Sequence, residues 1–306
     1  MVAPQRSGLT RRQWLLLCRS GAAAVPVALL APKVFADPGK GPEVVLLQHT
    51  ARPANLETPL EFFNTQLLPV ENFYVRSHFE VPIMRSDFYQ LRVDIGGGKV
   101  LRLSLKQLQE DFKPVTITAV LQCAGNGRAL HRPRVGGVQW RKGACGNAEW
   151  TGVKLRDVLA RAGIKKGAVG HLEMVGADTP ASPQTPEFVR SIPLAKALHE
   201  DTLLAYAMNG APLTKSHGFP VRVVVPGWVG DDWLKWVTDL RVRDTPSEGF
   251  YMQKGYRVPD PKAPGGSRPM TEMNVKSILS GPRDGARLPP VAQEITGVAF
   301  SGEAHI

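Results

Sequence analysis

Glycine and proline interrupt this chain so often that long helices have little room to form. The 306 residues include 30 glycines and 26 prolines, and both residue types favour turns and end regular elements. Short strand-like and helix-like segments alternate between the interruptions, without the regular βαβ order of a parallel sheet. The sequence therefore predicts an α+β fold rather than a helical bundle.

Individual segments support this prediction. Residues 89–105 predict two strands joined by a run of three glycines, because apolar and polar residues alternate on both sides of the turn. Residues 104–112 predict a short capped helix, and residues 115–123 predict a buried strand from their β-branched density. Residues 150–164 predict a helix that a glycine ends.

Residues 1–36 predict an export signal. A twin arginine, Arg11-Arg12, precedes a short apolar stretch and a small-residue exit at 34–36, which is the layout of a signal peptide. The twin arginine indicates the Tat route, so we expect a folded protein in the periplasm. A basic tail or an anchor is the alternative, but Arg19 and Pro26 interrupt the apolar stretch and no membrane span is predicted.

The charge of the chain favours an anionic ligand or an acidic partner. The chain has 38 basic and 27 acidic residues, a formal net charge of +11. Removal of residues 1–36, which hold five basic residues and no acidic one, leaves a net charge of +6. No run of five like charges remains and aromatic residues do not alternate with basic ones, so nucleic-acid binding is not predicted. A basic surface or pocket suits a small anion or an acidic protein.

Two cysteines, Cys123 and Cys145, remain after the signal. A disulfide between them is one interpretation, since exported proteins commonly pair their cysteines. The chain has no CxxCH, CxxC or HExxH motif. Neither an attached haem nor a conventional zinc or iron–sulfur site is therefore predicted.

Three arginines, Arg76, Arg128 and Arg222, lie in apolar or glycine-rich segments, and His78 and His217 accompany two of them. Structural ion pairs are the ordinary interpretation of each arginine alone. Burial of an unpaired charge is costly, so a strand that turns an arginine inward must also supply its partner. Together the arginines predict a buried ligand with several phosphate or sulfate oxygens, which guanidinium groups bind in pairs.

The chain changes character after about residue 256. Prolines and glycines between 259 and 269 form a linker-like crossing, and alternating segments follow at 274–288 and 294–302. We expect residues 37–260 to form one domain, and residues 261–306 to form a linker and the start of an all-β domain. Two or three strands cannot close a β-sandwich, so this second domain is expected to be incomplete.

Several blocks of the sequence resemble, in order and spacing, the sulfite oxidase family of molybdopterin enzymes. They are NFYVRSH, LQCAGNGR, GGVQWRKGACGNAEWTGVKLRDVL, SIPLAKAL, LLAYAMNGAPLTKSHGFPVRVVVPGWVG and LKWVTDLRV. The similarity runs from about Asn72 to Ser301, and the export signal makes the bacterial periplasmic sulfite dehydrogenases the most similar branch. It implies a molybdopterin-binding α+β domain followed by the start of an Ig-like domain.

The resemblance assigns site residues by position. It implies that the Cys123 thiolate ligates molybdenum, a role that suits a soft ligand. The residues implied to hold the pterin and its phosphate are Tyr74, Val75, Arg76, His78, Asp178, His217, Arg222, Trp233, Leu234 and Lys235. The residues implied to shape the substrate pocket are Arg76, Arg128, Trp140 and Tyr256, of which Tyr256 has the loosest match.

The resemblance implies oxidation of sulfite to sulfate by oxygen-atom transfer at a molybdenum–molybdopterin centre. Arg76 and Arg128 would hold the anionic substrate, and fixed cations would offset charge that moves onto the metal. We expect a separate cytochrome c or haem subunit to accept the electrons. The alternatives are a related periplasmic reductase, acting for example on methionine sulfoxide, and an inactive cofactor-free fragment that serves as a binding module.

The sequence departs from the family at three points. The family often has two adjacent arginines after CAGN, where this chain has Gly127-Arg128, and this leaves the substrate open. Cys145 replaces an apolar residue, which favours a buried free thiol. The chain ends near the start of the expected Ig-like domain, which indicates either a fragment or the absence of the family's usual dimer.

Overall fold

The computed structural model describes residues 46–306, which belong to one compact unit. The export signal predicted at 1–36 lies outside the described residues. Within the described part, strands predominate and the longest α-helix has eight residues, as the frequent glycine and proline residues predict. None of the helices described in residues 46–306 is long and apolar enough to cross a membrane.

The strands are short, and most have six residues or fewer. In chain order they are β1 (Leu47–Thr50), β2 (Asn55–Glu57), β3 (Val75–Arg76), β4 (Gln90–Asp94), β5 (Val100–Ser104), β6 (Pro114–Gln122), β7 (Cys145–Lys154), β8 (His171–Gly176), β9 (Val189–Pro193), β10 (Leu203–Met208), β11 (Ala211–Pro212), β12 (Arg222–Val224), β13 (Val237–Arg243), β14 (Arg257–Pro259), β15 (Ser267–Pro269), β16 (Lys276–Gly281) and β17 (Thr296–Phe300). The α-helices are α1 (Leu105–Glu110), α2 (Leu155–Ala162), α3 (Leu194–Ala197) and α4 (Phe250–Gln253).

Local sequence signals set the ends of the two longest helices. Ser104 caps α1 in a capping box with Gln107, which confirms the capped helix predicted there. Gly163 ends α2 in the left-handed conformation, at φ 112°. The helix predicted at 150–164 begins only at Leu155, because the residues before it extend β7 and are hydrogen-bonded between two strands.

A long antiparallel hairpin, β6–β7, forms one side of a five-stranded sheet in the order β11-β10-β7-β6, in which β12 also pairs with β10. The β6–β7 pairing ends with Gln122 opposite Cys145. The hairpin loop, residues 123–144, therefore leaves and re-enters the sheet at one point. Its ends are joined directly, because the Cys123 backbone N–H donates to the Ala144 carbonyl at 2.9 Å.

The position of β6 at the edge of this sheet corrects one prediction. The sequence predicts a strand buried throughout residues 115–123, but only the end of the strand, Leu121 and Gln122, is buried. The earlier residues alternate between exposed and partly covered positions, because an edge strand packs against the core on one face. The buried end of β6 is the part that leads into the hairpin loop.

A second five-stranded sheet has the order β5-β4-β13-β8-β9. Strands β4 and β5 pair antiparallel across the three glycines, as the sequence predicts. Strand β13 lies parallel to β4 and antiparallel to β8. The core beneath the sheets contains four fully buried tryptophans, Trp140, Trp150, Trp233 and Trp236.

The residues after β13 add two small antiparallel sheets, β14–β15 and β16–β17. Ile278 and Phe300 bury their side chains in the main apolar core, so β16–β17 packs on the rest of the described unit. The start of an Ig-like domain is not confirmed, because two strands do not form the paired sheets of a sandwich. The domain boundary predicted at about residue 260 stays a prediction.

The close approach of β7 to β10 gives a first testable prediction. A Cβ at Gly152 would lie 2.1 Å from the Leu204 carbonyl oxygen, so Gly152→Ala should force the two strands apart. We expect a loss of about 2–3 kcal/mol in the free energy of unfolding, measured by urea titration. Gly136→Ala, at a glycine with open space and ordinary φ, is the control and should change it by less than about 0.5 kcal/mol. Equal effects of the two substitutions would contradict this packing.

Candidate active site

A cavity lies beside Cys123. It gathers segments that are far apart in the sequence: the region around β3, the end of β6, the loops before and after β12, and the residue before β14. Eleven of the residues singled out in the sequence line it: Tyr74, Arg76, His78, Cys123, Asp178, His217, Arg222, Trp233, Leu234, Lys235 and Tyr256.

Three of the predicted site residues do not line this cavity: Val75, Arg128 and Trp140. Val75 faces away because alternate residues of an extended segment point to opposite sides, and it lines a separate, open pocket. Trp140 is fully buried behind Tyr74, with the two rings edge to face at 6.3 Å between centroids. Trp140 therefore supports the wall of the cavity from behind.

The hairpin loop holds Arg128. Its Nη1 donates to the Val138 carbonyl at 3.0 Å. A Cβ at Gly125 or Gly137 would come within 2.6 or 2.7 Å of the guanidinium, so the group lies across both glycines. Gly127 precedes it at φ 95°, a conformation that favours glycine.

Cys123 presents a thiol to the cavity. It is a free, buried cysteine, and the backbone N–H of Gly125 donates to its Sγ at 3.4 Å. Burial raises the pKa of the Cys123 thiol, and Arg76, that N–H and Arg128 oppose the rise. Cys145 is also free and buried, so the structure contains no disulfide between the two cysteines and has the free thiol expected at Cys145.

Positive charge is concentrated in the lining of this cavity, at Arg76, Arg222 and Lys235. Arg222 is buried and donates to the carbonyls of His217 and Trp233, each at 3.0 Å. Lys235 Nζ donates to Ser77 Oγ and to the Ser216 carbonyl. None of the three cations forms an ion pair with a carboxylate among residues 46–306.

Burial is the largest cause of the pKa shifts in this cavity. Burial lowers the pKa of Arg222 to about 10. Burial, with Arg222 beside it, lowers the pKa of Lys235 well below its usual range. Burial and the cations Lys235 and Arg222 lower the pKa of His217 to about 3, so its imidazole is neutral. Burial raises the pKa of Asp178 to about 6, against the effect of Lys235.

A neutral aromatic pair forms another part of the wall. His78 Nε2 and the Tyr256 hydroxyl are 2.6 Å apart, and the His78 ring stacks on Phe188 at 3.9 Å. Burial, followed by Arg76, lowers the pKa of His78 well below its usual value. Burial raises the pKa of Tyr256 well above its usual value, so its hydroxyl keeps its proton. The pair therefore offers hydrogen bonds without charge.

A buried ion-pair cluster that the sequence analysis did not identify borders the cavity through one residue. Asp231 lines the cavity, and its carboxylate lies 2.8 Å from Nη2 of Arg190. Arg190 also pairs with Asp232, through Nε at 2.9 Å and Nη2 at 2.8 Å. Burial raises the pKa of both carboxyl groups. The adjacent acids after an apolar run were the only available signal, and their partner lies 42 residues away.

Hydrogen-bond donors without a partner in the described residues indicate which ligand this cavity could bind. His217 Nε2 and Arg222 Nε are buried and have no hydrogen-bond partner within residues 46–306, and buried polar groups normally have one. These atoms and the unpaired cations fit a ligand with several anionic oxygens. A thiolate at Cys123 fits a soft metal, and no group of three or more His, Cys, Asp or Glu side chains in residues 46–306 could hold a metal ion.

Comparison with known proteins agrees with this chemistry. Residues 78–251 match the protein family described as "Oxidoreductase molybdopterin binding domain". The chain is 35% identical to a sulfite oxidase of Arabidopsis thaliana over 269 residues, which cover 82% of this chain and 68% of that protein. The chain belongs to the sulfite oxidase family of molybdopterin oxidoreductases.

Other relatives agree. The sulfite oxidase of Gallus gallus is 39% identical over 295 residues, which cover 90% of this chain and 62% of that protein. The solved structure of the sulfane dehydrogenase SoxCD from Paracoccus pantotrophus has a TM-score of 0.71 at 29% identity, and the match covers 90% of this chain and 72% of that one. The chain spans 46–62% of the length of the animal relatives. The cavity residues therefore fit the molybdopterin cofactor that the family binds.

The Arg190 cluster gives a prediction about stability and pH. Arg190→Met leaves two buried carboxylates without their cation, so we expect a loss of about 3–5 kcal/mol in the free energy of unfolding at pH 8. Because the pKa of each carboxyl is raised in the folded state, its contribution to stability is largest at low pH and is lost as the pH rises. The loss should therefore be smaller at pH 5, where the carboxyls can take up protons.

Chemical denaturation at pH 5 and pH 8 measures this difference. Arg92→Met is the matched control, because Arg92 pairs with Asp94 at 2.6 Å while both side chains are about 30% exposed. An exposed pair contributes about 1 kcal/mol or less. A loss at Arg190 that is no larger than at Arg92, or that is independent of pH, would contradict the assignment.

Proposed function

We propose that this chain oxidises sulfite to sulfate at a molybdenum–molybdopterin centre beside Cys123, in the periplasm, and passes the electrons to an external cytochrome-type acceptor. The reaction converts sulfite and water to sulfate, two protons and two electrons. The observation that carries the proposal is that one cavity combines a single buried thiol with three cations that have no carboxylate partner in the described part of the chain. The twin arginine at Arg11-Arg12 supports export.

The residues divide by chemistry into two groups. Arg222, Lys235 and the free Nε2 of His217 would hold the anionic oxygens of the pterin phosphate. The Cys123 thiolate would hold the metal, and the N–H of Gly125 would stabilise its charge. When bound, the cofactor supplies oxygen-atom transfer and stores the two electrons.

Substrate binding falls to the cations nearest the thiol. Arg76 lines the cavity, and the charges of Arg76 and Arg128 both act on Cys123. A guanidinium group binds two oxygens of an anion such as sulfite at once. Tyr256 keeps its proton and would donate a hydrogen bond to a bound oxygen, while His78 Nε2 positions its hydroxyl.

A second candidate substrate is a sulfane sulfur, the substrate class for which the similar sulfane dehydrogenase SoxCD is named. Gly127 stands where the family often has an arginine, and Arg128 hydrogen-bonds the Val138 carbonyl outside the cavity lining. This places fewer cations beside the substrate than two adjacent arginines would. A less charged substrate suits such a pocket, so both substrates belong in the test.

The two buried thiols allow a matched test of the proposal. Cys123→Ser should lower the molybdenum content and abolish sulfite-dependent turnover, because a hydroxyl is a poor ligand for a soft metal while the contacts to the pterin remain. Cys145→Ser should retain both, since Cys145 lines a different cavity. Metal analysis of the purified protein and reduction of ferricyanide with sulfite measure the two properties.

The control substrates separate the alternatives. Turnover with sulfite but not with a sulfane or methionine sulfoxide supports sulfite oxidation. Metal-loaded protein that reduces methionine sulfoxide and ignores sulfite would replace the proposal with the reductase alternative. Folded wild-type protein without molybdenum, from cells that make the cofactor, would contradict every enzymatic assignment.

A further inference from the structure

The hairpin loop, residues 123–144, has an unusual charge. It contains five arginine or lysine residues and one histidine, and no acidic residue. The basic residues are Arg128, His131, Arg132, Arg134, Arg141 and Lys142. All of them except Arg128 are exposed. The loop therefore presents a basic surface at the end of the hairpin that carries Cys123.

The exposed basic side chains of this surface lack ion pairs among residues 46–306. In the part of the chain that the structure describes, Arg132, Arg134, Arg141 and Lys142 form no ion pair with a carboxylate. Some exposed basic residues elsewhere are paired, as Arg161 is with Asp111 at 2.8 Å. The positive field of the loop is therefore not neutralised locally.

Two apolar side chains lie among these charges. Leu130 is 59% exposed and Val135 is 43% exposed. Protein interfaces commonly combine exposed apolar residues at the centre with a polar rim, and they are enriched in arginine. A surface that only attracted small ions would gain nothing from exposed leucine and valine side chains. A protein that docks on the loop would cover these two side chains.

Hydrogen bonds fix the shape of the loop. The Ala129 N–H donates to the Trp140 carbonyl at 2.9 Å, and Trp140 is fully buried. The Glu57 carboxylate accepts hydrogen bonds from the backbone N–H groups of Arg141 and Gly143, at 2.9 and 2.7 Å. A surface that is ordered before binding loses less entropy when a partner docks.

The loop also lies next to the reaction. It begins at Cys123, which lines the cavity, and Arg128 connects its two sides through Val138. Lys276 of β16 adds another cation there, because its Nζ lies 3.4 Å from the Asn126 carbonyl. A protein that docks on the loop would approach the cysteine end of the cavity.

We propose that the hairpin loop is the docking surface for an acidic protein that carries a one-electron redox centre. This inference rests on the proposed function, in which each sulfite yields two electrons and two protons. Two acceptor molecules, or two encounters with one, would therefore be reduced by one electron each, and the protons pass to solvent. Complementary charge would raise the rate of encounter.

Charge reversal at two residues tests the proposal. Arg134→Glu with Lys142→Glu changes exposed side chains outside the cavity lining. The matched control is Lys165→Glu with Lys166→Glu, an exposed pair in the turn between α2 and β8. Both variants change the net charge equally. Turnover with sulfite and a small uncharged quinone should stay within about twofold of wild type in both, since neither variant alters the cavity.

The acceptor assay uses an acidic c-type cytochrome and a basic one. With the acidic cytochrome at low salt, kcat/KM should fall about tenfold or more in the loop variant and much less in the control. With the basic cytochrome, kcat/KM should rise in the loop variant. The differences should shrink at high salt, because the screening length falls from about 10 Å at 0.1 M to about 3 Å at 1 M.

Direct binding separates the failure of this proposal from the failure of the proposed function. The purified protein is titrated calorimetrically with oxidised acidic cytochrome in the absence of sulfite. Weaker binding in the loop variant alone supports the docking surface even if sulfite is not the substrate. Unchanged binding in the loop variant, or equal weakening in the control, overturns it even if sulfite turnover is normal.

Discussion

The cost of burying charge governs the arrangement of this structure, and the chain meets it in two ways. Arg190 is fully buried, and ion pairs with Asp231 and Asp232 neutralise its charge. Arg222 is also buried, but carbonyl oxygens and aromatic rings surround it and no carboxylate within residues 46–306 pairs with it. Arg222 lines the cavity and Arg190 does not, so the arginine that has no carboxylate partner among residues 46–306 is the one that faces the space for a ligand.

The β6–β7 hairpin joins this interior to the surface. Gln122 of β6 and Cys145 of β7 are the last residues that pair, so the whole hairpin loop between them lies at one end of the sheet. One end of the loop provides the thiol, its middle holds Arg128, and its outer part exposes the unpaired basic residues. A single segment, residues 123–144, thereby connects the proposed metal ligand, the proposed substrate-binding charge and the proposed acceptor surface.

Much of this could be predicted from the sequence, because local patterns identify strands, turns and helix ends. The family blocks also identified eleven residues that line one cavity. The direction of individual side chains could not be predicted as well. Val75 points away from the cavity because residues alternate along an extended segment, and Trp140 packs behind Tyr74 instead of lining the cavity. The Arg190 cluster was missed because it depends on contacts across 42 residues, which no local pattern encodes.

The conformation of Gly127 explains how the loop can differ from the family at this point. At φ 95° a side chain at this position would be strained, so an arginine there would require another backbone path. The glycine begins the tight turn at Arg128–Leu130, and the Arg128 guanidinium then lies across Gly125 and Gly137. The absence of an arginine at this position is therefore coupled to the compact shape of the hairpin loop. The cations that remain at this end of the molecule lie mostly on the outer part of the loop, where a partner can reach them and a buried substrate cannot.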